Sequence, residues 1–275
     1  MRGKRTMDQQ KKDFWGMLFY LICGLIAFFL MLPIFIVIPI SFSSASYLQF
    51  PPPGLSLQWY QKYFFDYSWI GPTWVSFQVA IVTMLLSTLL GTLASFPLVR
   101  EKFKGKGLLN TFIVSPMVIP VIVVSVVIYS LFSKTGLVGS KVGLVLGHSL
   151  LAIPFVVITV SAALKGFNVT LEKAAMSLGA NRLQTFFKIT FPLIRPGVIA
   201  GALFAFIISF DEIVLSMFIC GISAKTLPVK MWEGVRMEIN PVIAAVSTIL
   251  ICFSVILLSL VEYLRDRAER MRGSS

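Results

Sequence analysis

Two carboxylates stand where an apolar chain can least accommodate them. Asp211 and Glu212 interrupt the run 196–222, which is otherwise free of charge. A carboxylate in such a stretch is expensive unless it faces protein, water or a cation. On a continuous helix, Ser209 and Ser216 lie three residues before and four after Glu212 and extend it into one polar stripe; the equivalent neighbours of Asp211, which are Ile207, Ile208, Val214 and Leu215, are apolar. Glu212 is therefore the first candidate for a cation pathway and Asp211 the second, with more weight on folding than on transport if its role is a structural pair. An interhelix salt bridge, or hydrogen bonds to a broken backbone, would account for the acids without a pathway. Counted from Arg195 at about 1.5 Å per residue, Asp211 lies about 24 Å up a helix crossing about 30 Å of hydrocarbon, toward its far side.

The segment 41–69 is dense in aromatic residues, among them Trp59 and Tyr60. An aromatic belt at a membrane surface explains most of these rings, while a ring face can also hold an ammonium ion. His148 and Ser149 are adjacent, so on a helix they point about 100° apart and do not form a nucleophile and base pair. Cys23, Cys220 and Cys252 have no metal-ligand spacing and read as packing residues. No phosphate-binding G-x-x-x-x-G-K-[ST] sequence occurs, so nucleotide hydrolysis is not expected on this chain.

These residues must be positioned by long apolar helices. With 57% hydrophobic and 13% charged residues and a mean hydropathy of +0.87, the 275-residue chain reads as an all-α integral membrane protein. The net charge of +12 does not point to nucleic acid, because the basic residues form short clusters between apolar runs. Charge-poor runs predict six transmembrane helices at 16–40, 70–99, 107–132, 142–164, 196–222 and 241–261, making a domain 16–263 between tails 1–15 and 264–275. The first run is longer than a signal-peptide core. Pro116, Pro120 and Pro154 inside apolar sequence imply backbone groups satisfied by protein or by a water-filled path. Lys62, Lys134, Lys141, Lys225, Lys230 and Arg236 fall on one side; the rest of the 24 Lys and Arg fall in the tails, in 100–106 and in 165–195. The positive-inside rule then places both termini and the loop 165–195 in the cytoplasm.

That loop is the one long polar insertion on the positive side. Thr170 is expected to cap a short helix with Glu172 in its first turn and Leu171, Ala174, Ala175 and Leu178 on one face, and Gly179 to stop it. Asn181 is expected to cap a second piece with Leu183, Phe186, Phe187 and Ile189 on its apolar side, ended by Pro192 and Pro196. An amphipathic helix lying on lipid would carry a similar pattern. Ala174, Ala175, Gly179, Ile189 and Pro192 have the spacing of the EAA signature, and on them the chain resembles permease subunits of bacterial ATP-binding cassette importers. Lys173 occupies the slot before the alanines, with Glu172 one residue earlier, and Phe191 stands where leucine is usual. The resemblance implies the type I importer permease (MetI-like) fold, and a loop that docks through these residues into a groove of a separate ATPase subunit.

A narrower resemblance runs over nearly the whole chain. Ser209, Phe210, Asp211 and Glu212, the pair Trp59 and Tyr60, and LPVKMW from Leu227 are similar to spermidine/putrescine permeases. Met117 departs, following Ser115 and Pro116 where those permeases carry a carboxylate. The resemblance implies a multi-pass protein of the bacterial inner membrane that forms half of a pore for a small organic cation of polyamine type. It implies two ATPase subunits that bind ATP and magnesium, a second and different permease chain, and a periplasmic solute-binding protein. This chain itself is expected to bind no cofactor. An opine-like amine, iron or another solute are alternative cargoes. An ion-coupled secondary transporter would explain the acids but not the loop.

Overall fold

Prolines and glycines mark several of the places where the helices of this chain bend or end, and a pair of acids marks another. The computed structural model describes the backbone at residues 2–237 and 240–273, with side chains at 15–237, 240–260 and 262–263. The basic side chains of the two tails, Arg2, Lys4, Arg5, Lys11, Lys12, Arg265, Arg267, Arg270 and Arg272, lie outside the described residues.

The chain divides into two compact units. The first holds α1 (Arg2–Ser41), α2 (Gln58–Phe65) and the start of α12 (Val242–Gly273). The apolar stretch Trp15–Ser41 of α1 leaves every residue but Ser41 exposed or half-buried, as a helix surrounded by lipid or partner chains would. A single antiparallel bridge between Ser43 and Leu55 closes the loop that follows it.

The second unit is built on three long helices, α3 (Tyr67–Arg100), α6 (Lys141–Lys165) and α9 (Phe191–Asp211), which pack pairwise against one another. Small residues permit that approach. A Cβ on Gly91 of α3 would stand 2.7 Å from the Val156 side chain, and one on Gly201 of α9 would stand 3.2 Å from the Val156 backbone, so this fully buried valine of α6 is held between two glycines. Phe77, Phe206, Phe210 and Phe253 cluster beside the end of α9, with Phe77 and Phe210 centroids 5.0 Å apart.

Between α3 and α6 the expected span 107–132 is not one straight helix. α4 (Lys106–Val114) passes through a single 3₁₀ turn at Ser115–Met117 into α5 (Val121–Thr135), and the two axes differ by 99°. Pro116 cannot continue the α ladder, and Pro120 sets the extended residue from which α5 starts. The described helices thus supply five candidate spans, or six when this bent pair counts as one.

The expected span 196–222 is also corrected. The apolar helix begins earlier, at Arg182, and ends at Asp211, and a separate short α10 (Val214–Ile219) follows. Beyond it, α11 (Leu227–Met237) is tied to α3 by the Leu227 amide donating to Ser76 Oγ at 2.9 Å, and carries a Lys225–Glu233 ion pair at 2.8 Å.

Candidate functional site

The acidic pair sits at the break. Glu212 leaves the helix with an extended backbone (φ −71°, ψ 113°), and its carboxylate accepts the Leu215 amide at 2.8 Å, closing the first turn of α10. It satisfies backbone donors that the interrupted ladder would otherwise orphan. Asp211 is exposed, and among the described residues its carboxylate has no hydrogen-bond or ion-pair partner.

Ser209 and Ser216 do not join Glu212 in a stripe. Both are buried and face His148 of α6: Nδ1 is 2.9 Å from Ser209 Oγ and Nε2 3.0 Å from Ser216 Oγ. The expectation assumed an unbroken helical register from 209 to 216. The break at Glu212 and Ile213 turns the two serines onto one imidazole instead. His148, 1% exposed, therefore clasps the chain on both sides of the interruption. Its sequence signal was slight: a single histidine between Gly147 and Ser149 in an apolar run.

Trp59 and Tyr60 belong to the first unit and the acids to the second. Trp59 Nε1 donates to the Ser43 carbonyl at 2.8 Å, and Tyr60 Oη shares a 2.7 Å hydrogen bond with Ser41 Oγ. Lys62 Nζ lies 5.9 Å from the Trp59 ring centroid. The polar handles of both residues tie α2 to the end of α1.

The polar loop folds as α7 (Thr170–Ser177), a glycine turn, α8 (Arg182–Thr185) and a π turn at Phe186–Thr190 that feeds α9. Asn168 rather than Thr170 caps the first piece, its Oδ1 accepting the Thr170 amide at 2.9 Å. Gly179 has φ +91°, and the Ala180 amide reaches back to the Ala175 carbonyl at 3.0 Å, the Schellman closure that a left-handed residue permits. Asn181 and Gln184 form a reciprocal capping box.

Pro192 and Pro196 do not end the second piece. The Phe191 amide bonds to the Phe186 carbonyl, five residues back, so the ladder changes register just where Pro192 has no N–H to give, and the helix continues. The predicted apolar faces are split as a result. Ala175 is buried and Phe186 packs on Phe96 at 5.5 Å, whereas Leu178 (89% exposed), Leu183 and Phe187 point outward. Lys173, Ala174 and Pro192 are exposed and Ile189 is half-buried.

Glu172 turns inward. It is 8% exposed, one oxygen pairing with Arg100 Nη1 at the end of α3 and the other accepting from Thr190 Oγ1. Burial works against its charge, but the hydrogen bonds from Arg100 and Thr190 and the Arg100 charge outweigh it, so the carboxyl is held below the ordinary glutamate range. The Arg100 guanidinium lies over Phe96 and Phe167, at 5.5 and 5.3 Å. Arg100 and Thr190 were not anticipated: the positive-inside rule already explained an arginine at a span end, and Thr190 has no motif.

A multi-span helical chain with a deliberate helix break, a carboxylate left free at that break and a capped polar loop is built as a membrane transport subunit. It belongs to the binding-protein-dependent transport system inner membrane component family, which it matches over residues 87–270. The spermidine/putrescine transport system permease protein PotC of Escherichia coli (strain K12) is 31% identical over 246 residues, 89% of this chain and 93% of that protein. The putrescine transport system permease protein PotI of the same strain is 32% identical over 251 residues, 89% of each. The crystal structure of a bacterial ABC transporter that imports the acidic polysaccharide alginate superposes with a TM-score of 0.68 at 18% identity, over 91% of this chain and 96% of that one, a likeness of fold. The chain is a permease subunit of the ABC importer class with the type I permease fold.

Proposed function

We propose that this chain forms half of the translocation pore of an ATP-driven importer whose cargo is a small organic cation of polyamine type. The observation that carries the reading is the Asp211 carboxylate at the break after α9, exposed and without a partner among the described residues, in a chain about a third identical to polyamine permeases. A carboxylate so placed suits an ammonium group and would repel sulfate or phosphate. The pore is completed by a second, different permease. Two ATPase subunits bind ATP and magnesium and engage the loop 165–195, and a periplasmic binding protein delivers the solute. The protein lies in the bacterial inner membrane with both termini cytoplasmic.

In this reading the two acids exchange the roles first expected of them, supported by the Glu212 cap and the exposure of Asp211. Glu212 is occupied in capping α10, so Glu212→Ala, which removes the acceptor, should chiefly lower folded abundance, while Asp211→Asn should keep abundance and lower cation uptake by about tenfold or more. The check is uptake of labelled spermidine and putrescine by the wild type and both variants at matched membrane abundance. Full uptake by Asp211→Asn would remove that residue from the pathway. A wild type that moves neither polyamine, with its binding protein supplied, would exclude this cargo.

A further inference from the structure

The loop that is to receive a push from an ATPase is fastened to the long helices by one buried carboxylate. Glu172 stands in the first turn of α7, and its two oxygens go to two different elements: Arg100, the last residue of α3, and Thr190, the last residue of the π turn from which α9 starts. Packing duplicates this fastening only in part: Phe186 of the π turn packs on Phe96 of α3, while a cavity of about 440 Å³ opens among Phe96, Arg100, Glu101, Glu172, Met176 and Arg182. Arg100 Nε and Nη2 are buried without a hydrogen-bond partner, so among the described residues Glu172 is the one anion that meets this guanidinium. Removing the carboxylate would leave a buried cation held by two phenylalanine faces alone.

We propose that the Arg100–Glu172–Thr190 cluster is the joint through which displacement of the coupling loop reaches α3 and α9. This rests on the importer reading above. Charge-assisted hydrogen bonds are short and directional, so a shift of α7 is delivered to both helices together. α9 carries it to its far end, where the chain breaks at Asp211 and Glu212. A docking role for Glu172 toward the ATPase is disfavoured, since both oxygens are used and the residue faces inward. Arg100 and Glu172 are positioning residues that touch neither solute nor nucleotide.

The test uses the complete importer in proteoliposomes, with ATP hydrolysis measured with and without its binding protein and uptake measured in parallel. Glu172→Gln should retain the ATPase subunit and its basal hydrolysis but lose stimulation by the binding protein, and uptake should fall by about tenfold or more. The exchange Arg100→Glu with Glu172→Arg should restore most of both. Thr190→Val, which removes one hydrogen bond and keeps the ion pair, should lie between and serves if Glu172→Gln fails to assemble. Wild-type coupling in both Glu172→Gln and Thr190→Val would overturn the joint alone. So would loss of the ATPase subunit in Glu172→Gln that the exchange does not repair, because Glu172 would then act on the partner. A wild type without ATP-dependent uptake would overturn the importer reading and the joint with it.

Discussion

Glu172 and Glu212 are both glutamates beside a helix start, and in both cases the carboxylate is consumed internally. That pattern separates residues that shape the molecule from residues left free to meet something else, such as Asp211 at the helix break and Lys173, Leu178, Leu183 and Phe187 on the loop. For Glu172 the consequence is measurable as a function of pH. Its carboxyl is held below the ordinary glutamate range in the folded state, so its contribution is fully present above the unfolded value and is lost as pH falls through the lowered folded value. In detergent, the wild type should be more stable than Glu172→Gln by about 1–2 kcal/mol near neutral pH. The gap should stay constant down to about pH 5 and close only as the solution passes below the ordinary glutamate range. Thermal unfolding of both proteins across that series provides the check. A gap that widened on acidification would mean that the folded carboxyl is raised, and that the ion pair is not what holds it.

At the scale of elements, turns do the organising. Gly179 has φ +91°, and no atom lies within 4 Å of where its Cβ would stand, so a substitution there meets a conformational penalty and no collision. Gly179→Val should therefore cost about 1–2 kcal/mol locally, whereas Gly179→Asn, which tolerates left-handed backbone, should cost less. The expected outcome is that both variants insert normally, and that Gly179→Val hydrolyses ATP with little transport while Gly179→Asn stays coupled. The ratio of solute moved to ATP hydrolysed reads this directly, and equal ratios in the two variants would remove backbone conformation as the cause. Local signals of this kind were legible in the sequence: Gly179 as a stop, Asn181 as a cap, and the apolar runs as helical, four of the six as single helices. Three features were not. The π turn lets a helix pass Pro192 because a register shift upstream absorbs the missing donor, which residue types do not announce. The polar stripe of Glu212 failed because helical periodicity holds only while the helix does. The partners of Glu172 lie 72 residues before it and 18 residues after it, a pairing that only tertiary structure creates.

For the whole molecule, the open point is parity. Among the described residues five helices are long and apolar enough to cross a membrane, and the candidate for a sixth crossing is the pair α4 and α5, bent by 99°. If that pair crosses, the count is even and both termini share a side. If it enters and leaves by the same face, the count is odd and the termini are on opposite sides. The charge pattern argues for crossing. Lys102, Lys104 and Lys106 precede α4, while Lys134 and Lys141 flank the end of α5 and the start of α6, and the densely basic segments 100–106 and 165–195 fall on a common side only if the pair spans. Ser115, Pro116 and Pro120 do not forbid it, because a broken helix is tolerated at membrane depth where protein or water satisfies the freed backbone groups. A green fluorescent protein fused after the last residue should therefore be fluorescent, and alkaline phosphatase at the same place inactive, while a cysteine replacing Lys134 should react with a membrane-impermeant maleimide added from outside. An active C-terminal phosphatase together with an unreactive residue 134 would make α4 and α5 a re-entrant hairpin. It would also place the α6–α9 loop on the outside, where no ATPase could reach it.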